Sequence, residues 1–403
     1  MTLKVAMFSW EFPPKIVGGI ARHVYGLSRA LAKIGVETLV FTCEFPGTPR
    51  EEKVDGVRVF RVDSYRAPTP DLGTWDLLMN QSMEQSAAEI LASDSSHVDL
   101  LHAHEWLVAK SAIGLKHTLR IPLVTTIHAT EYGRRNGLHD DNERMIHQTE
   151  QWLTYEAWRV ICCSRFMTDH VSWVFSLPHE KIDTIPNGVD VAEFVGTFHK
   201  ESFRKLYALP EEKIVLFVGR LVYEKGASLL VEAIPRVLAR VNAKFVFVGE
   251  GYMKEQLVSR ARQLGVSQKG YFTGYVDEKT LRKLYRIADV CVFPSLYEPF
   301  GIVALEAMAA RAPVVVADTG GLSDVVEHDK TGIKVYHNNA ESLTWGIIRI
   351  LTDGAYANYL KTNASNRILD LFSWDQIALR TRKVYDRILK EYEKGTWKPT
   401  IAS

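Results

Sequence analysis

Two carboxylates eight residues apart, Glu298 and Glu306, flank the segment Pro299-Phe300-Gly301-Ile302. Their types and spacing suit recognition of a hydroxylated anion. Glu298 falls just before an expected helix start and Glu306 about two turns in, and 3.6 residues per turn returns both toward one face. Between them the first helical amides lack intrahelical acceptors and sit at the positive end of the helix dipole. Gly301 lets a ligand approach that backbone closely. The result is a cradle for a diphosphate with hydroxyl acceptors on either side. The same segment also fits a buried amphipathic helix with Val303, Leu305, Ala307 and Met308 as core and Glu298 as an N-terminal charge.

A second segment favours the chemical reading. Lys213 to Gly219 reads as a buried strand running into Arg220, then Lys225-Gly226, then a helical stretch from Ser228 to Val241. Two cations five residues apart on the loop after a strand project at the carboxyl edge of a sheet, where open α/β folds bind ligands. Together they could neutralise a leaving diphosphate, although an Arg and a Lys in a loop also read as solvated surface charges.

Gly219-Arg220-Leu221 with Lys225-Gly226, the Glu298 to Glu306 segment, and an amino-terminal Pro13-Pro14-Lys15 followed by Gly18-Gly19 together resemble the retaining nucleotide-sugar glycosyltransferases of the GT-B type. Within them the chain is similar to the glycogen and starch synthases and related group 1 glycosyltransferases, over nearly its whole length. The resemblance implies an α/β architecture of two Rossmann-like, doubly wound parallel sheets facing a cleft. It also implies transfer of glucose from ADP-glucose or UDP-glucose to the non-reducing end of an α-1,4-glucan. By the same resemblance His128, Arg220, Lys225 and Glu298 are catalytic. Gly18, Gly19, Tyr275, Pro299, Phe300, Gly301, Ile302 and Glu306 join Arg220 and Lys225 around the donor, with Glu306 on the ribose. Lys15, Glu105, Tyr132 and Asn187 lie toward the acceptor. The implied reaction needs no metal and no cofactor, because the nucleotide sugar is the substrate. The family is usually described as attacking from the face the leaving group departs from, with the departing phosphate taking the acceptor proton. Two positions depart from the pattern: Ile16 and Val17 separate Lys15 from Gly18, and Glu105 stands where Asp is common.

Bulk properties agree with a two-domain enzyme. The chain has 403 residues, 46% hydrophobic and 24% charged, with a formal net charge of +1, which gives no reason to expect nucleic acid as a partner. Cys43, Cys162, Cys163 and Cys291 lie mostly in apolar runs with no C-x-x-C pair and read as buried thiols of a reducing, cytoplasmic compartment. No apolar run approaches the ~20 residues that span a bilayer, and membrane association is not expected.

Short apolar runs alternating with helical stretches predict a parallel βα pattern in both halves. Strands are expected at Val36 to Thr42, Val57 to Val62, Leu100 to His104, Leu123 to His128 and Val160 to Cys163, then at Val215 to Val218, Phe245 to Val248, Tyr271 to Thr273, Val290 to Phe293, Pro313 to Ala317 and Gly332 to Val335. The first domain is expected over 1–190 and the second over 191–373. The resemblance implies that a helix over 374–403 packs back on the first domain, through apolar positions such as Ile377, Leu379, Val384, Ile388 and Leu389.

Three other readings stay open on the residues. His102 and His104 share one strand face, and with His128 they could form a three-histidine metal site, although no D-x-D triplet accompanies them. Lys110, Lys116, His117 and Arg120 could make a basic helix face that meets a lipid surface. A nucleotide-sugar 2-epimerase has the same two-lobed fold. Gly249-Glu250-Gly251 fails as a dinucleotide fingerprint because Lys254 stands where the third glycine belongs.

Overall fold

A computed structural model of the chain describes residues 2–63, 68–93 and 97–398. Residues 399–403 of the expected last helix, and residues 1, 64–67 and 94–96 of the expected first domain, lie outside them. The chain divides into two compact units: unit 1 is Met1–Gly188 with Trp374–Ser403, and unit 2 is Val189–Ser373.

Unit 1 is built on an eight-stranded sheet of order β3-β4-β2-β1-β5-β6-β7-β8. The strands are β1 (Lys4–Phe8), β2 (Glu37–Cys43), β3 (Glu51–Val54), β4 (Val57–Val62), β5 (Leu100–His104), β6 (Leu123–Ile127), β7 (Arg159–Cys162) and β8 (Ile182–Thr184). Neighbours pair in parallel except β3 with β4, which corrects the expectation of a wholly parallel pattern. That hairpin turns on Asp55-Gly56, both at positive φ (49° and 90°), the backbone that a two-residue primed turn demands. Every residue of β1 is buried, as a strand covered on both faces requires.

Helix Trp374–Lys394 belongs to unit 1, where Ile377, Tyr385 and Ile388 join Val24, Leu27 and Leu31 of helix Gly19–Lys33 in one core. Leu379 is 47% exposed, so the expected inward apolar set was one residue too large. The basic face left open around helix Ala109–Leu119 is engaged within unit 1. Lys110 is ion-paired with Asp76, Lys116 and His117 reach Glu156 at 2.6 and 2.8 Å, and Arg120 lies over Trp397. No helix among the described residues is long and apolar enough to cross a membrane. All four cysteines are buried thiols outside any disulfide.

Unit 2 carries a six-stranded, wholly parallel sheet of order β11-β10-β9-β12-β13-β14. Its strands are β9 (Lys213–Val218), β10 (Ala243–Val248), β11 (Gly270–Gly274), β12 (Val290–Phe293), β13 (Val314–Ala317) and β14 (Ile333–Val335). Apart from the β3–β4 hairpin, strand order reverses between β1 and β5 in unit 1 and between β9 and β12 in unit 2. In open α/β sheets these switch points are where loops diverge and leave a crevice at the carboxyl ends of the strands.

Candidate functional site

In unit 2 one predicted cation and one predicted carboxylate, Lys225 and Glu298, meet beside the switch point. The loop leaving β9 turns through Tyr223–Lys225 and is tied to the loop leaving β12, where the amides of Leu296 and Tyr297 donate to the Glu224 carbonyl at 2.8 and 3.2 Å. Across this seam Lys225 Nζ donates to Glu298 Oε2 at 2.8 Å, and Ser295 Oγ donates to the same oxygen at 3.2 Å. Glu298 is buried, so its carboxylate depends on these two donors.

Glycine makes the seam possible. Gly226 has φ 65°, and a Cβ there would lie 2.0 Å from the Pro294 carbonyl oxygen, which is backbone and cannot swing aside. Gly226→Ala is therefore expected to cost unit 2 about 2–4 kcal/mol, from left-handed strain plus overpacking. It should also depress activity by dislodging Lys225, although residue 226 carries no chemistry. Thermal unfolding beside an activity assay checks this; a fully stable, fully active variant contradicts it.

Helix Ile302–Ala309 starts after Gly301, whose φ of 104° suits glycine. Phe300 is buried, Pro299 and Ile302 half-buried, and the first-turn amides lead out of this bend. Glu306 is buried one helix face away and accepts from the Tyr285 hydroxyl at 2.9 Å. Arg220 is mostly exposed and bonds Glu224 at 3.0 Å, so it is not drawn into the Lys225–Glu298 pair. Tyr275, just after edge strand β11, is 80% exposed. The Gly320-Gly321 turn escaped the sequence reading. The Gly321 amide donates to the Glu298 carbonyl at 2.8 Å, and a Cβ at Gly320 would meet that oxygen at 2.1 Å. Its one sequence signal is a glycine pair three residues past the end of an apolar strand.

In unit 1 the predicted residues follow the carboxyl ends of β1, β5 and β6, except Asn187, which follows β8. The Glu11 carboxylate, buried after β1, accepts the amides of Val17 at 2.5 Å and Gly18 at 3.0 Å, fixing the loop that feeds helix Gly19–Lys33. The Gly18 amide is thus engaged within the chain, which leaves Gly19 as the better exposed donor of that pair. Glu11 was legible only as a charge between Trp10 and Phe12. Lys15 lies over the Trp10 ring at 4.6 Å.

Glu105, at φ 69°, turns its carboxylate onto the amides of His128 (2.6 Å) and Ala129 (2.9 Å), with Arg134 at 3.4 Å. Burial raises its pKa against the pull of Arg134 and those amides. Tyr132 is edge-packed on Trp173, with centroids 5.4 Å apart. Trp152 and Tyr155 are exposed, whereas Trp158 packs on Tyr392 and Trp397. Asn187 Oδ1 is engaged by His23 Nδ1 at 2.7 Å.

The histidine cluster differs from the set that strand spacing left open. The nitrogens of His102 are occupied by the Tyr385 hydroxyl (2.7 Å) and Thr126 Oγ1 (2.8 Å), so it is a core residue. The third ring beside His104 and His128 is instead His23, from helix Gly19–Lys33, with one nitrogen from each of the three within 4.8 Å of the others. Burial lowers all of them, His23 to about 4 and His102 to about 3, with His104 and His128 well below the usual range. They are neutral imidazoles at physiological pH.

Near Glu105, the fully buried Glu150 accepts the Glu131 amide at 2.9 Å, and burial together with Glu105 pushes its pKa well above the usual value. A carboxyl whose pKa is raised by folding binds more protons folded than unfolded, so its contribution to stability falls as pH rises. Glu150→Gln keeps an acceptor without the charge. It is expected to stabilise unit 1 at pH 8 more than at pH 5, read by denaturant unfolding at both; a gain independent of pH would contradict this assignment.

With this geometry in hand, the comparisons are consistent with one another. Residues 198–367 match the family model described as glycosyl transferases group 1, and residues 17–193 match the glycosyltransferase family 4 model. The chain is 42% identical to an uncharacterized glycosyltransferase of Methanocaldococcus jannaschii over 95% of this chain and 98% of that one. It is 35% identical to the glycogen synthase of Mycobacterium tuberculosis, over 95% and 94%. Among solved structures, sucrose-phosphate synthase from Thermosynechococcus elongatus superposes with a TM-score of 0.81 at 26% identity, covering 96% of this chain and 100% of that one.

Proposed function

Because the chain belongs to the group 1 glycosyltransferases, with the GT-B architecture of two parallel-sheet α/β domains, we propose that it transfers glucose from ADP-glucose or UDP-glucose to the non-reducing end of an α-1,4-glucan, with retention at the anomeric carbon. The observation that carries the reading is the Lys225–Glu298 pair beside the Gly301 helix start, at the switch point of unit 2.

The chemistry follows from charge. Breaking the bond between the anomeric carbon and a phosphate oxygen moves an electron pair onto the diphosphate and leaves positive charge on the sugar ring. Lys225, Arg220 and the first amides of helix Ile302–Ala309 supply the positive groups that meet the growing anion. Glu298 then accepts hydrogen bonds from sugar hydroxyls and Glu306 from the ribose. The acceptor hydroxyl bonds to the anomeric carbon on the face the diphosphate leaves, and its proton passes to that departing phosphate. In unit 1, His128 stands by the sugar as a neutral ring, so it donates or accepts a hydrogen bond without adding a charge that would oppose the developing cation.

No cofactor is required, and the buried thiols outside any disulfide fit a reducing cytoplasm. The similarity to glycogen synthase supports a glucan acceptor. The similarity to a sucrose-phosphate synthase keeps a small-molecule acceptor as the second reading. Nucleoside diphosphate release from ADP-glucose, UDP-glucose, GDP-mannose and UDP-N-acetylglucosamine tests the donor. Release confined to a glucose donor supports the proposal, and release confined to either other sugar overturns it.

A further inference from the structure

The chain passes between the units at two places, after Gly188 and before Trp374. These connections are joined to each other: the Val189 amide donates to the Phe372 carbonyl at 2.8 Å, and Val189 bridges Ser373 in parallel. Where the chain re-enters unit 1, the Trp374 indole occupies space that only glycines leave open. A Cβ at Gly26 would lie 2.2 Å from its Cε2, and one at Gly188 would lie 2.5 Å from its Cδ2.

The indole meets His23 edge-on, with centroids 5.6 Å apart at 71°, and His23 in turn meets His128 at 4.6 Å and 73°. His23 makes one hydrogen bond, through Nδ1 to Asn187, the residue before Gly188, while its Nε2 is buried with no partner among the described residues. One hydrogen bond does not set a ring plane, so packing must.

We propose that Trp374 is a positioning residue for the sugar-transfer site: seated against Gly26 and Gly188, it fixes the ring of His23 and through it the ring of His128. The inference rests on the reading that His128 stands beside the donor sugar. Trp374 also keeps water from His23. The groups facing His23 from the neighbouring elements are Asn187, His104 and His128, with His102 next to them, so no carboxylate among these would hold a proton on it. Opening this cover lets His23 climb from about 4 toward the ordinary 6.5 and places a charge beside His128 in mildly acidic solution.

The test uses the full chain carrying Trp374→Ala, Trp374→Phe or Gly26→Ala. In Trp374→Ala the His23 NMR titration is expected to move up by a pH unit or more. The acid limb of kcat should move up with it, and kcat at neutral pH should fall about tenfold to a hundredfold, as for a remote change that misplaces a reacting group. Donor KM should change less than kcat, and Trp374→Phe should restore most of the loss. A folded Trp374→Ala with lower thermal stability but an unshifted pH profile and wild-type kcat overturns the proposal. If that variant does not fold, Gly26→Ala, which keeps every ring and displaces the indole, must give the same shifts in smaller measure; an unshifted profile there overturns it equally. The His23 titration needs no turnover. A titration that moves without a change in rate sinks the positioning role, whereas a wild-type enzyme that transfers no sugar sinks the functional reading instead.

Discussion

Lys225→Ala is expected to lower sugar transfer about a hundredfold while unit 2 stays folded. The ammonium is held 2.8 Å from Glu298 before any substrate arrives, so it costs no reorganisation when charge develops on the departing diphosphate. Preorganised groups of this kind are worth roughly 3 kcal/mol in the transition state, and each 1.4 kcal/mol is tenfold in rate. Negative charge on the leaving oxygen grows as the bond breaks, so kcat should fall more than donor KM rises. Lys225→Arg is expected to recover only part, because a planar guanidinium does not fit a point-charge site fixed by one carboxylate oxygen. Steady-state kinetics beside a thermal melt separate the effects. Wild-type kcat in a folded Lys225→Ala would remove Lys225 from the chemistry.

Unit 1 is expected to unfold steeply on mild acidification, well before unit 2. Three buried imidazoles, His23, His102 and His104, and the half-buried His128 have their pKa values lowered by desolvation, to about 4 and about 3 for the first two. In the unfolded chain each titrates near 6.5. A histidine whose pKa is depressed by folding binds fewer protons folded than unfolded, so stability is lost as pH falls below the unfolded value, and the loss continues until the folded value is reached. If all four take up a proton on unfolding, the limiting slope is about 5 kcal/mol per pH unit between roughly pH 6 and pH 4. Glu150, whose pKa is raised, opposes this in part. Denaturant unfolding at pH 7, 6 and 5, followed by an intrinsic signal from each unit, reads the slope. A unit 1 transition that does not move between pH 7 and pH 5 would mean these rings are not buried and neutral.

Much of this molecule could be read from its residues because buried parallel strands are written as short apolar runs. Val290–Phe293 and Val57–Val62 appear with the bounds the pattern gives, and most other strands lie within one or two residues of theirs. The exceptions have physical reasons. Strand β3 is Glu-Glu-Lys-Val at a sheet edge with little apolar content, and β8 is only three residues long. The Asp55-Gly56 turn was the available clue to the first of these, through the positive φ such a turn requires.

At the site, residues whose chemistry is local to a motif were legible: Lys225, Glu298 and Gly301 stand in short segments where charge, glycine and a helix start coincide. Residues that act through distant partners were not. His23 sits on a helix with no motif around it, and its neighbours His104, His128, Asn187 and Trp374 come from separate parts of the chain. Spacing alone left His102 open as a third ring of the cluster, because two residues on one strand face look alike until the partners of each are known. Glu105 and Asn187 were expected toward the acceptor, and the groups they engage in this structure are the amides of 128 and 129 and the ring of His23.

The most direct test of the account is incubation with a nucleotide-glucose donor and a maltooligosaccharide of defined length, with products resolved by mass and the new linkage read by NMR. The expected product is a ladder growing by single hexoses, each joined α-1,4 at the non-reducing end, with one nucleoside diphosphate released per step. A β-configured linkage, or diphosphate release that leaves the oligosaccharide unextended while another acceptor takes the sugar, would contradict it.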